Sequence, residues 1–530
     1  MSTIDQALKH HQAGNLQQAE HIYCQILQIN PQNADALHLL GVLAHQVGRN
    51  DVAIDYMNQA IASTPSNPAY HSDIGVAYQA LGKPNQAITS FQEAIQLKPD
   101  YAEAYHNLGV ALREQGKLEE AVDTFRRALQ LQPTYAQAHN NLGIAFQVQS
   151  LPTSAGVACT ENAQRRRKLN EAIQCFQRAI LHRSDYVEAY NNLGTAYKAQ
   201  NKFEQAMESF QRALRINPNH AEANFNRSLV MLLRGDFERG WQGYEWRWKS
   251  KASLPREFRQ PLWDGSPLAE KTILLHAEQG LGDTIQFIRY APLVKQRGGT
   301  VIVECDNSLM RLFRSCPGID FLVAERSSLP PFDLHAPLMS LPCILKTRLN
   351  TIPASIPYLH AGDESDSPLN AILKTHNGKR RIGIVWAGNP KHQNDANRSC
   401  PLIHFQLLTE VEDVALFSLQ KAEERTKLTL ESNGLNQVIN LSPFLSDFAD
   451  TAAAIMKLEL VITVDTAVAH LAGALGRPVW VLLPFAPDWR WFLDREDSPW
   501  YPTMRLFRQP RLEDWESVFE RVVSALKNEK

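Results

Sequence analysis

The sequence has no long apolar run, no paired-cysteine spacing and no excess of either charge. Its 54 Lys and Arg nearly cancel 56 Asp and Glu, so no global field marks nucleic acid or an anionic membrane as a partner. The seven cysteines, Cys24, Cys159, Cys175, Cys305, Cys316, Cys343 and Cys400, are scattered, with no Cys-x-x-Cys and no His/Cys spacing of a zinc site. That distribution excludes a disulfide framework and points to a reducing, cytoplasmic compartment. The most apolar stretch, 460–486, is interrupted by Asp465, His470 and Arg477, which excludes a membrane span. The first twenty residues are amphipathic without an apolar core, unlike a signal peptide. A chain of 530 residues folds as about two to four domains.

What is present in the front half is a repeat. A period of 34 residues carries small, aromatic and proline residues at fixed offsets. Gly75, Gly82, Ala87, Phe91, Ala94 and Pro99 recur as Gly109, Gly116, Ala121, Phe125, Ala128 and Pro133. Weaker copies carry Gly41, Gly48, Ala53, Ala60 and Pro65, and Gly194, Ala206, Phe210, Ala213 and Pro218. Small residues let paired helices approach, aromatics fill the gap between pairs, and proline closes each unit. These units resemble tetratricopeptide repeats, which implies an all-α, right-handed solenoid with a concave groove over residues 1–248. In the fifth repeat Ala172, Phe176 and Ala179 arrive 17 residues late after Gly143, so 151–168 reads as an inserted loop. Its basic run, Arg165 to Lys168, is either a solvated loop entering a helix or a contact for an anionic partner. Asn107, Asn141 and Asn192 recur at one position of the first helix of their repeats. An amide both donates and accepts, so such a ladder could grip a protein or peptide backbone, or simply reflect repeat composition. A degenerate seventh unit places Trp241, Tyr244 and Trp248 at i, i+3 and i+7, an apolar face that either seals the repeats against the next domain or stacks on a sugar.

After a connector at 249–270, the pattern changes to short β-rich runs alternating with helices. "TILLHAE", "TVIVEC", "FLVAE" and "FDLHAPL" define a first parallel sheet in 271–360. A polar linker, 361–379, leads to "RIGIVWAG", "VALFSLQ", "VINLS", "LVITVD", "PVWVLLP" and "MRLFRQ" in 380–510. The C-terminal helix, 511–530, is amphipathic and is expected to pack back across the junction between the two domains. The fold class is therefore multidomain: an all-α repeat array, then two Rossmann-like α/β domains whose strand ends face one cleft. That is the GT-B arrangement, although the pattern alone does not separate it from other two-domain α/β proteins.

The stretch "SDFADTAAAIMKLELVITVDTAVAHLAGALGRPVWVLLP", 446–484, resembles the donor-binding half of glycosyltransferase family 9, the lipopolysaccharide heptosyltransferases. The likeness extends over about 270–510, and the order of repeats and catalytic fold is also similar to the O-GlcNAc transferases. The resemblance implies donor contacts from Asp465 and Thr466, with Ala467 standing where the family has glycine. The helix that starts there, expected to be capped by Asp465, offers free amides to a diphosphate. His470, one turn on, points either into the cleft or into the core. The resemblance further implies a basic residue near Pro401 to meet donor phosphates; Arg398 fits best and Lys391 second. The family also has a glycine turn after its first strand whose acid is the general base. Here the turn is Gly280 and Gly282, and the catalytic acid is Asp283, with Glu278 as an alternative base. Pro292 is expected to kink the helix that Asp283 opens.

No Asp-x-Asp stands at a strand end, so no metal and no cofactor is expected beyond a nucleotide-sugar co-substrate. The reading is an inverting, metal-independent hexosyl- or heptosyltransferase acting on a protein or glycan acceptor, with repeats that bind protein. The alternative is a catalytically inactive scaffold for protein interaction.

Overall fold

A computed structural model of the chain describes residues 3–151, 159–250, 256–362, 369, 372, 378–392, 394–421 and 429–529. Most of the expected linker at 361–379 and part of the insertion at 151–168 lie outside the described residues. The chain divides into two compact units, one holding the described residues of Met1–Ser150 and Arg165–Ala196, the other those of Leu151–Gln164 and Tyr197–Lys530.

The first unit is helical throughout. Its pairs are α1 (Ile4–Gln12) with α2 (Leu16–Ile29), α3 (Ala34–Gln46) with α4 (Asn50–Ser63), α5 (Pro68–Ala80) with α6 (Pro84–Leu97), and α7 (Ala102–Glu114) with α8 (Leu118–Leu131). These are followed by α9 (Ala136–Gln149), α10 (Cys159–His182) and α11 (Val187–Ala199), at whose end the second unit begins. Local chemistry starts them: Asn33 accepts from the Ala36 amide at 3.0 Å, and Asn67 from that of Ala69 at 3.0 Å beside Pro68. The recurrent glycine has a packing cause. A Cβ on Gly109 would lie 2.6 Å from Phe125 Cε1, and Gly75 and Gly143 stand in the same relation to Phe91 and Phe176. Only a residue without a side chain lets the aromatic ring lie flat on the facing backbone.

The basic run at 165–168 sits on α10 rather than in a loop. Arg165 is buried, its Nε donating to the Ser150 carbonyl at 2.8 Å, while Lys168 lies 4.7 Å from the Phe146 ring centre. Its charge is used to close the end of α9.

In the second unit, α12 (Phe203–Ile216), α13 (Ala221–Leu233) and α14 (Phe237–Tyr244) precede two parallel sheets. The first contains β1 (Thr272–His276), β2 (Thr300–Cys305), β3 (Phe321–Ala324) and β4 (Leu334–Pro337), in the order β3-β2-β1-β4. The second contains β5 (Arg380–Val385), β6 (Val414–Ser418), β7 (Ile439–Asn440), β8 (Leu460–Val464), β9 (Val479–Leu483) and β10 (Met504–Arg508), ordered β10-β9-β8-β5-β6-β7. Each run expected to form a strand does so over at least part of its length, and β8 and β9 are buried along their whole length. Strand order reverses between β5 and β8, so the loops leaving these two strands diverge and open a crevice.

Three expectations are modified. Trp241 and Tyr244 do seal the repeats: both are buried, and Trp241 packs edge-on to Trp489 with ring centres 5.2 Å apart. Trp248 leaves that face, because α14 ends at Tyr244 and the chain tightens into a 3₁₀ turn over Glu245–Lys249. The helix containing Pro292 does more than kink: it breaks into Leu281–Phe287 and Ala291–Lys295, joined by a 3₁₀ turn. A proline ring cannot donate to the carbonyl one turn back. Finally, the C-terminal helix, Trp515–Asn528, does not cross the junction. Its buried stripe of Trp515, Val518, Phe519 and Val522 joins Ile382, Leu416 and Leu460 in the core of the second sheet, and Phe519 meets Phe405 with ring centres 4.8 Å apart.

Candidate active site

The glycine turn follows β1, and its geometry is set by one carboxylate. Gly280 caps the helix Leu281–Phe287, and Asp283 on the first turn reaches back so that its Oδ2 accepts the Gly280 amide at 2.9 Å. Asp283 thus closes the turn as the third residue of the helix rather than as its cap. Its other oxygen, Oδ1, accepts from Arg490 Nη2.

Across from this turn stands the end of β8. Thr466, not Asp465, caps the helix Ala467–Ala474, and without a side-chain bond to its amides. Thr466 Oγ1 instead meets Thr463 Oγ1 at 3.2 Å. The expected cap role of Asp465 is therefore replaced: the chain remains extended through Thr466, one residue beyond the strand-end acid. The two motifs touch. A Cβ on Gly282 would lie 3.4 Å from Ala467 Cα and 3.0 Å from His470 Cδ2. His470 resolves toward the core: it is buried, its Nδ1 lies 3.0 Å from the Tyr501 hydroxyl, and it stacks on Trp491. Burial holds its pKa well below the usual imidazole range, so it stays neutral there.

The loop after β5 brings Arg398 and leaves Lys391 outside. Arg398 Nε donates to Asp395 Oδ1 at 3.2 Å, and a Cβ on Gly388 would fall 2.6 Å from Arg398 Nη2, so the guanidinium lies directly on the loop backbone. Lys391 is exposed, its amide donating to Asn389 Oδ1 at 3.0 Å. His392 shares the field of Arg398, Asp395, Asp283 and Asp488, and burial lowers its pKa.

The segment after β9 supplies residues that sequence reading did not single out. Arg490 is buried and donates through Nε to Gln286 Oε1 at 2.7 Å, through Nη1 to Asp488 Oδ1 at 2.7 Å, and through Nη2 to Asp283. Its guanidinium carbon lies 4.3 Å from the Trp489 ring centre. Nearby, Asn201 donates to the Phe485 carbonyl at 2.5 Å, and Lys198 shares the field of Asp488 while burial lowers its pKa. Asp465 is raised to about 6, first by burial and then by Asp488, against the opposing fields of Arg398 and Arg490. Asp283, Asp465, Asp488, Arg398 and Arg490, with His392 beside them, thus gather beyond the ends of β1, β5, β8 and β9. The signal for Asp488 and Arg490 was the string "DWR", but its partner lies 207 residues away.

Glu278, the alternative base, is engaged elsewhere. Its two oxygens accept from Arg247 Nη2 at 2.8 and 3.1 Å, and Arg247 also holds Glu245 and Ser340. Burial raises its pKa to about 7, with Arg247 opposing that rise.

In the first unit the asparagines bond among themselves and their neighbours. Arg113 Nη1 donates to Asn141 Oδ1 at 3.1 Å, Asn141 Nδ2 lies 2.8 Å from His106 Nε2, and His106 Nδ1 lies 3.1 Å from Asn107 Oδ1. Burial lowers the His106 pKa, in the direction of the neutral ring that one directed chain of donors requires. Asn192 Nδ2 donates to Asn140 Oδ1 at 3.0 Å, outside that chain.

Among the described residues no three His, Cys, Asp or Glu side chains gather to hold a metal ion, and no helix is long and apolar enough to cross a membrane.

Comparison with known proteins finds matches in the repeats and in part of the α/β region. Tetratricopeptide-repeat models match residues 10–72, 72–136, 166–201 and 187–220. The model of glycosyltransferase family 9 (heptosyltransferase) matches residues 405–483, a span that includes Asp465 to His470 but neither Asp283 nor Arg398. Protein FlbA of Caulobacter vibrioides is 26% identical over 322 residues, covering 54% of this chain and 52% of that protein. The chain spans about half the length of this curated relative. Among solved structures, MamA is 25% identical, covering 34% of this chain and 96% of its own, with a TM-score of 0.28. The APC/C hetero-tetramer Cut9-Hcn1 is 18% identical, covering 46% of this chain and 45% of its own, with a TM-score of 0.39. The chain accordingly carries tetratricopeptide repeats and a C-terminal α/β region part of which is similar to glycosyltransferase family 9.

Proposed function

We propose that the protein is an inverting glycosyltransferase of GT-B architecture, moving a sugar from a nucleotide-sugar donor to a protein or glycan acceptor. The observation that carries this is the meeting of the glycine turn with the helix start at Ala467, beside a cluster holding both carboxylates and two arginines. The acceptor oxygen attacks the anomeric carbon as the bond from that carbon to the diphosphate oxygen breaks. The acceptor proton passes to Asp283, and the nucleoside diphosphate leaves with the bonding pair. Arg398 and the amides at the start of the helix Ala467–Ala474 meet its charge, with Thr466 and Asp465 orienting the sugar nucleotide. The transfer is proposed to need neither a metal ion nor a cofactor.

The repeats are proposed to bind the protein acceptor or an assembly partner in the cytoplasm. In that reading Asn107, Asn141 and Asn192 contact its backbone by exchanging some of their present partners. Changing all three to Ala should abolish partner capture, and unchanged capture would remove the ladder from the account.

The test of the transfer reaction is to supply the full chain with a panel of sugar nucleotides and follow binding and nucleoside-diphosphate release. Binding and release that disappears in Asp283→Ala support the enzyme. A second reading, a scaffold without catalysis, draws on Ala467, whose methyl group stands where family 9 carries glycine; absence of binding to every donor would favour it.

A further inference from the structure

We propose that Arg490 is a ligand for the donor's diphosphate, and that exchange of its Nη2 from Asp283 to the diphosphate frees that carboxylate to receive the acceptor's proton. This rests on the transfer reaction proposed above. Both oxygens of Asp283 are occupied in the structure, Oδ2 by the Gly280 amide at 2.9 Å and Oδ1 by Arg490. A carboxylate neutralised in this way is a poor acceptor for a hydroxyl proton, because taking the proton would sever a charge-assisted bond.

Arg490 is built to exchange one partner and keep its place. Its Nε is fixed by Gln286 and its Nη1 by Asp488, with the plane resting on Trp489. Only Nη2 faces Asp283. The side chain of Arg490 is 8% exposed, whereas those of Asp283 and Asp488 are 22% and 35% exposed. The acids therefore line the accessible side of the cluster, and an incoming diphosphate reaches Nη2 by displacing the Asp283 carboxylate from it. A diphosphate carries more charge than one carboxylate and offers paired oxygens to the planar fork, so it competes well for Nη2. Arg398, paired with Asp395 in its own turn and laid on Gly388, can meet the diphosphate as well, but it does not hold Asp283 and so does not free it. The base would then be released only when the donor is in place, which limits unproductive proton transfer in the empty site.

The experiment is calorimetric titration of the full chain with ADP, GDP, UDP and inorganic diphosphate, using wild type, Asp283→Asn, Arg490→Gln and Arg490→Lys. If Arg490 must leave Asp283 to bind diphosphate, removing the competing charge tightens binding in Asp283→Asn by about tenfold while turnover is lost. Arg490→Gln weakens binding by at least about tenfold, and Arg490→Lys, which keeps the charge without the fork, by less. A role that is only structural moves Asp283→Asn the other way: unchanged or weaker diphosphate binding in that variant overturns the exchange while leaving the transfer reaction standing. Because Asp283→Asn is nearly isosteric, its outcome decides the matter even if the Arg490 variants fail to fold. Failure of the wild type to bind any of the four probes overturns the exchange together with the transfer reaction.

Discussion

Gly282 and Ala467, 185 positions apart, are packed backbone to backbone: the Cβ that glycine lacks would lie 3.4 Å from Ala467 Cα. Two loops from different parallel sheets are thereby held in register. In Gly282→Ala the added methyl must also find room 3.0 Å from His470 Cδ2, and His470 is fixed by Tyr501. The expected result is a stability loss of about 1 to 2 kcal/mol and a larger fall in sugar transfer than in diphosphate affinity. Thermal unfolding and steady-state kinetics on one preparation check both, and equal losses in the two activities would deny the turn a special role.

The two acids near β1 should separate by phenotype. Asp283→Asn should cost roughly 10² to 10⁴ in turnover and about 1 to 3 kcal/mol in stability, because its one amide oxygen can accept from the Gly280 amide or from Arg490 but not from both. Glu278→Ala instead strips a buried arginine of one partner, and should cost about 3 kcal/mol in urea unfolding. The opposite assignment of losses would make Glu278 the base.

Asp465 sets a pH dependence of stability. Its pKa is raised to about 6 from an ordinary value of 3.8, so the folded protein binds a proton that the unfolded chain has already released. Stability contributed by that proton is fully present below about pH 4 and is lost as pH rises through 6. Asp465→Asn should therefore stabilise the fold by up to about 3 kcal/mol at pH 7.5 and by almost nothing at pH 4. Denaturant titrations at the two pH values measure the difference; an equal effect at both would show that the carboxylate is not strained by burial.

In the repeats, Gly109→Ala should destabilise the first unit by about 1 to 3 kcal/mol, since its methyl group would meet Phe125 at 2.6 Å. Combining it with Phe125→Leu should recover part of the loss, because the two changes occupy the same space. Strict additivity in a double-mutant cycle would contradict the packing.

Much of this architecture could be read in the amino acids because it is written locally. A 34-residue period needs only small and aromatic residues at their offsets, and ten apolar runs find their places as the ten described strands. The glycine turn and the Asp465–Thr466 helix start were likewise visible as strings. What escaped was pairing at a distance. Arg490 reads as one arginine among several in "DWRWFLDRED" until the fold sets it against Asp283, and Glu278 reads as a spare base until Arg247 is seen to hold it. Cap position was lost for a smaller reason: one extra extended residue after β8 moved the helix start from Asp465 to Thr466.

The repeat pattern runs to about residue 248, yet compact packing begins the second unit at Tyr197. Phe203, Phe210, Val230, Phe237 and Trp241 share a hydrophobic core with Ile273 and Trp489. For anyone dissecting the protein, the scissors suggested by composition would cut away one wall of the α/β body. A fragment that keeps α12 to α14 retains its aromatic lining, while one trimmed at 248 exposes Phe287, Trp489 and Trp500 to water and should be recovered as aggregate.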